Sequence, residues 1–221
     1  MNLFFATILQ EPWSLHFRVF LCFLFLCVTA GAQNELQKTI DPGNYNQVRI
    51  NGNQIFEIEI QTEMRKTIEL VSIVDGEYGD HFQFDIELVK DVYTISLWQS
   101  QLSTIEDDKR NAHKVVAAKM LLKLPQDFIV DVVSDVGNLE IDGNFRTFRA
   151  SLQTGFCRFR GLVDFLEVET RDGNIHLQTM DVSVNARSSK GDVSVSNAVR
   201  GNGFATLKSI NGDILVEALK E

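Results

Sequence analysis

From Gly137 onward, apolar and polar residues alternate in short bursts that return at a fixed interval. Gly137, Gly155, Gly173 and Gly191 recur at a constant interval of 18, and Gly212 follows after 21. Each opens the same phrase: GNLEI, GFCRF, GNIHL, GDVSV and GDILV. Two residues after the glycine come Leu139, Cys157, Ile175, Val193 and Ile214, and four after it Ile141, Phe159, Leu177, Val195 and Val216. Counting back seven from the next glycine gives Phe148, Leu166, Val184 and Ala205; counting back five gives Ala150, Val168, Ala186 and Leu207. Two period-2 segments per unit, each apolar on one face, predict β-strands that stack unit upon unit because no unit can bury its own apolar face. The pattern predicts an all-β fold: a β-solenoid, like a single-stranded β-helix, with 18-residue rungs over 137–221 after less regular strands.

The polar columns carry the same phase. Glu140, Arg158 and His176 occupy one outward column, Arg149 precedes Glu167 in another, and Glu169 precedes Arg187 in a third. Stacked in chain order, these would be cross-strand neighbours of opposite sign, each contributing a few tenths of a kcal/mol, up to about 1. That order puts His176 between Arg158 and Ser194. It also leaves Gly212–Leu219 as an end unit with a bare edge. The glycines sit beside Asn or Asp at expected turns, where Gly reaches positive φ freely and Asn or Asp bonds its own backbone. Calcium-binding nonapeptides need paired glycines and Asp every nine residues, which is not this spacing, so no metal is expected. Leu177→Asp or Val195→Asp should bury an unpaired charge, whereas Asn174→Ser should be nearly silent.

Ahead of the repeat, Gln47–Ile50, Ile55–Gln61, Thr67–Val74, His81–Leu88, Val92–Trp98, Lys114–Leu124 and Phe128–Ser134 read as strands rich in β-branched and aromatic residues. Turn residues such as Asn51-Gly52-Asn53 separate them. Leu102–Asn111 is polar and reads as an exposed loop, and residues 33–46 as a flexible lead-in. The expected divisions are a signal peptide over 1–32, the lead-in over 33–46, an irregular β segment over 47–136 and regular rungs over 137–221. The last two are taken as one continuous elongated domain, 47–221.

The N-terminal reading is an export signal. Arg18 precedes an apolar run from Val19 to Val28, then Thr29-Ala30-Gly31-Ala32 offers a small-residue cleavage site before Gln33. A run of about ten residues is half of what a membrane-spanning helix needs, so no span is expected after cleavage. Residues 1–17 are apolar for an n-region, which leaves the true start site open. Only Cys157 would survive in the exported chain, on an inward column, as a buried hydrophobe rather than a disulfide partner. The chain carries a net charge of −9. Its acidic surplus lies before the repeat, with 18 acidic against 10 basic residues over 33–136 and 11 against 10 over 137–221. This balance excludes a nucleic-acid footprint and disfavours a polyanionic partner.

Val48-Arg49-Ile50-Asn51-Gly52, the strand ending in Leu124-Pro125 and the closing rungs of G-x-[LIV]-x-[LIV] form a recognisable sequence. The chain resembles the candidate-adhesin family of bacterial envelope proteins with β-strand repeats, of Bacteroidetes type, over about Gln47 to Glu221. Cys157 and Phe159 depart from the pattern in one unit. The resemblance implies a solenoid-like all-β domain at the envelope. Fold alone does not supply function.

Catalytic chemistry has little to stand on. His81, His113 and His176 lie in no zincin spacing, no four-ligand Cys/His set exists, and neither a nucleophile elbow nor a phosphate-cradling loop is present. Glu167 and Glu169 share a face, as in some polysaccharide-cleaving solenoids, but Arg149 and Arg187 would neutralise them. The expected protein is not an enzyme and has no catalytic, cofactor or metal residues. It is an exported, adhesin-like binding or scaffold protein of the periplasm or surface of a Gram-negative bacterium, with an envelope protein or a carbohydrate as partner. The alternatives are a structural protein that self-associates through solenoid ends and, less favoured, a polysaccharide-processing enzyme.

Overall fold

A computed structural model describes residues 34–75, 82–99, 117–197 and 199–219. The expected signal peptide, His81, His113 and the Leu102–Asn111 segment lie outside the described residues. The strands run in chain order as β1 (Asn34–Ile40), β2 (Gln47–Asn51), β3 (Ile55–Glu63), β4 (Ile68–Asp75), β5 (Phe82–Val89), β6 (Val92–Gln99), β7 (Ala117–Pro125) and β8 (Phe128–Val136). Then follow β9 (Asn138–Thr154), β10 (Cys157–Asp172), β11 (Ile175–Thr179), β12 (Val182–Ser188), β13 (Val193–Val195), β14 (Gly203–Asn211) and β15 (Ile214–Ala218). The protein is all-β, with no helix among the described residues. All 15 strands belong to one mixed sheet.

The sheet forms two walls. One runs β1-β4-β7-β3-β9-β10-β11-β15-β13, the other β5-β6-β2-β8-β9-β10-β14-β12. β9 and β10 are long because each serves both walls: Cys157–Arg160 pairs with β11, and Phe165–Asp172 with β14. Gly143 and Gly161 sit between the two segments with φ of 128° and 141°. A Cβ on Gly161 would overlap the carbonyl oxygen of Gly143, so this second glycine pair, in the same phase as the first, lets two corners nest. Phe148 of one wall meets Phe159 of the other at 5.7 Å between ring centres, which places the core between the walls. The core columns read from the sequence are in place, with Leu139, Cys157 and Ile175 aligned and Phe148, Leu166 and Ala205 aligned.

The order of units is where the structure departs from chain order. β10 pairs with β9 and β11 at one constant offset, as in Cys157↔Leu139 and Cys157↔Ile175. Beyond that point the units exchange places. β15 lies between β11 and β13 (Ile175↔Ile214↔Val193), and β14 lies between β10 and β12 (Leu166↔Ala205↔Val184). The β14–β15 segment, last in sequence, is thus inner, and the β12–β13 segment before it is at the end. The side chains give the reason. Leu207, Ile214 and Val216 are fully enclosed, while the exchanged unit offers Val184 and Ala186, only partly buried, and Val193 and Val195, 43% and 42% exposed. Putting the bulkier apolar set inside removes more surface from water.

Four expectations are corrected by this exchange. Gly212–Leu219 is not a bare end, since β15 is paired on both sides. Val195 is not an inner core position. Glu169 does not neighbour Arg187, because Lys208 stands between them. His176 faces Leu215 rather than Ser194. Two further differences are local. Residues 34–40 are not a flexible lead-in but strand β1, laid antiparallel on β4. And Asn174 is not idle: its Oδ1 accepts from the Asp213 backbone N–H at 2.8 Å.

Candidate functional site

The outward face of β9, β10, β14 and β12 has the makings of a site, because period-2 alternation sends every second side chain of four aligned parallel strands to the same surface. Its columns run Thr147–Phe165–Phe204–Ser183, then Arg149–Glu167–Thr206–Asn185, then Ser151–Glu169–Lys208–Arg187. A cleft of about 520 Å³ opens at the third column and the turn beyond it, walled by Gln153, Glu169, Arg171, Arg187, Lys208 and Ile210. Three cations and one carboxylate line it.

The charges are arranged by the exchanged unit order. Lys208 Nζ donates to Glu169 Oε1 at 2.5 Å, and this bond holds the ammonium above its ordinary range, so Lys208 stays charged. Arg171 Nε lies 3.5 Å from Asp172. Arg187, exposed on the neighbouring strand, makes no ion pair among the described residues. One column back, Arg149 pairs with Asp131 at 3.1 Å while its guanidinium lies 5.5 Å from the centre of the Phe165 ring. Phe204 beside it is 63% exposed.

The residues weighed for catalysis are placed as follows. Glu167 and Glu169 do share this face, Glu169 engaged by Lys208 and Glu167 in register with Arg149. His176 lies on the other wall, where its Nε2 is 2.9 Å from Glu217 Oε2 in a part-buried pair. A smaller cleft of about 430 Å³ lies there, with Arg158 stacked over Phe156 and bonded to Glu140 at 2.7 Å. Cys157 is buried as expected, and burial pushes its thiol up to about 12. Among the described residues no group of three or more His, Cys, Asp and Glu could hold a metal ion.

Sequence reasoning missed what secures the wall behind the cleft. Three residues before each repeat glycine stand Ser134, Leu152, Thr170, Ser188 and Ser209. Ser134 Oγ donates to the Gly52 carbonyl (3.0 Å), Ser209 Oγ to that of Gly173 (3.1 Å) and Ser188 Oγ to that of Gly212 (2.7 Å). The Asx residues after the glycines act likewise between units: Asn138 Oδ1 accepts from Phe156 N–H, and Asp213 Oδ1 from Asp192 N–H. The signal was legible, since these residues recur in the phase of the glycines; turn chemistry accounts for the Asn and Asp beside the glycines without their links between units, and the serine column carries no apolar pattern.

No family model matches the chain, and no curated protein matches it. Solved structures do. A candidate cell adhesion protein from Clostridium sporogenes is similar at 11% identity and a TM-score of 0.46, over 84% of this chain and 99% of that one. A candidate adhesin from Bacteroides fragilis matches at 11% identity and a TM-score of 0.41, over 83% and 97%. A candidate lipid-binding protein from Parabacteroides distasonis matches at 12% and 0.31, over 86% and 98%. This chain is similar to candidate adhesins, the group that its β-strand repeats resemble.

Proposed function

We propose that the protein is an exported, adhesin-like binding protein of a bacterial envelope, acting without chemistry and presenting the outer face of β9, β10, β14 and β12 to its partner. We take its parallel units to wind as a β-solenoid with 18-residue rungs, the last two exchanged. The observation that carries the reading is the cleft on that face. Most of its polar and charged side chains stand on β10 and β14, whose backbones are bonded to neighbours on both sides, so binding there orders little that is not already ordered. Export rests on the Val19–Val28 run and the small residues that follow. A pull-down of envelope proteins and glycans with the full chain tests it, using Thr206→Arg to obstruct the middle of the wall. A saturable partner lost in a Thr206→Arg variant that melts like the parent supports the reading; a partner retained by that variant contradicts it.

One observation favours self-assembly as a second reading. Among the described residues β12 and β13 are each paired along one side only, and Val193 and Val195 of β13 are exposed. Bare edges invite pairing with another chain. Light scattering against concentration decides: growth abolished by Val195→Lys favours assembly, and a monomer at all concentrations removes it.

A further inference from the structure

We propose that the second wall takes a glycan bearing a single acidic sugar, its carboxylate seated on Arg187 and Lys208 in the cleft and a sugar ring stacked on Phe204 beyond the cleft's rim. The proposal deepens the binding reading and rests on it.

Charge is the first argument. The chain carries −9, yet the cleft gathers Arg171, Arg187 and Lys208 around Glu169, with Arg171 turned to Asp172 at 3.5 Å. Glu169 is already matched by Lys208, and the Arg187 guanidinium is left facing solvent without an ion pair among the described residues. A guanidinium presents a planar fork that fits a carboxylate with two parallel hydrogen bonds. A long polyanion would meet repulsion from the acidic remainder of the surface, so the ligand that suits this field is short and carries one acidic group.

Geometry then narrows the class. Phe204 and Lys208 lie on the same strand and the same face, four residues apart, which is about 13 Å. The Phe204 ring is the most solvent-open aromatic face of this wall. The C–H face of a pyranose is apolar and stacks on such a ring while its hydroxyls remain free for polar partners. Gln153 supplies an amide beside the cations, and the Glu169 carboxylate can accept from two hydroxyls. An extended peptide binds sheets by adding to a free edge. Here the strands that bear Glu169 and Lys208, β10 and β14, are paired on both sides, so these two residues meet a ligand through their side chains, while only β12, which bears Arg187, has an edge to offer among the described residues.

Calorimetry on the full chain tests this with matched pairs: 3′-sialyllactose against lactose, and 4-O-methylglucuronosyl-xylotriose against xylotriose. At least one acidic member should bind about tenfold or more tightly than its neutral counterpart. Arg187→Gln should erase that preference, and Phe204→Ala should weaken acidic and neutral members alike, with melting unchanged in both variants. Equal binding within both pairs overturns the proposal, as does a preference that survives Arg187→Gln. If neither pair binds while the pull-down still yields a partner lost in Thr206→Arg, the acidic glycan is wrong and the binding wall stands. If both fail, the wall itself is wrong.

Discussion

The first three repeat units and the last two share one phrase and one phase, yet they stack by different rules. The strands that open at Gly137, Gly155 and Gly173, β9, β10 and β11, lie in chain order, each offset from its neighbour by one repeat. Beyond them β15 comes before β13 and β14 before β12, so that the strand stacked on β11 is the one opening at Gly212. The glycine column is unbroken across the exchange. A Cβ on Gly155 would overlap the Gly137 carbonyl, one on Gly173 that of Gly155, one on Gly212 that of Gly173, and one on Gly191 that of Gly212. Identical local chemistry therefore supports either order. What separates the two regions is which apolar side chains each order encloses.

The comparison can be broken most forcefully at the column itself. Gly155→Ala, with both a blocked Cβ and a φ of 125°, should cost at least about 4 kcal/mol. Gly191→Ala, at the free end, should cost visibly less in the same denaturant titration. Equal losses would mean the end unit is held as tightly as the middle. Next comes a matched pair in one core column. Leu177→Asp buries a charge where the side chain is fully enclosed and should cost about 4 kcal/mol, whereas Val195→Asp should stay within about 0.5 kcal/mol of the parent. A severe Val195→Asp loss would restore chain-order stacking.

Cys157 gives a test within the chain-ordered region. Its thiol is raised from 9.0 to about 12 by burial, so the neutral form belongs to the fold. Stability from this group is full below pH 9 and declines as the pH climbs toward 12. At pH 10 the loss should be about 1.4 kcal/mol relative to Cys157→Ala measured alongside. A parent and variant with parallel pH profiles would mean the thiol is not enclosed. The smallest effect is also the sharpest on order. A double-mutant cycle should find coupling between Glu169 and Lys208 and none between Glu169 and Arg187. The reverse result would place β12 against β10.

Much of this was legible. The apolar columns, the constant offset between units, Cys157 in the core and seven of the strands ahead of the repeat follow from alternation and turn residues. β1 was not legible, because Asn34–Ile40 has a polar composition and becomes a strand only through β4 beside it. The cleft was half legible. Glu169 was singled out, but its partner was taken as Arg187, since chain order gave no reason to set Lys208 between them. The Ser134, Ser188 and Ser209 bonds escaped for a related cause: a hydroxyl's acceptor lies on another unit, and which unit is a tertiary fact.

The sequence by itself determined the β class, the inward and outward residues, and the phase in which any unit registers with any other. Those properties are local, fixed by a side-chain period of two and by glycines at a regular interval. Only the tertiary structure decided the order of the units and the surface that order creates. Units that share a phase are interchangeable neighbours as far as their backbones are concerned. The choice falls to the apolar area enclosed by the whole stack, which encloses Leu207, Ile214 and Val216 and leaves Val193 and Val195 at the end.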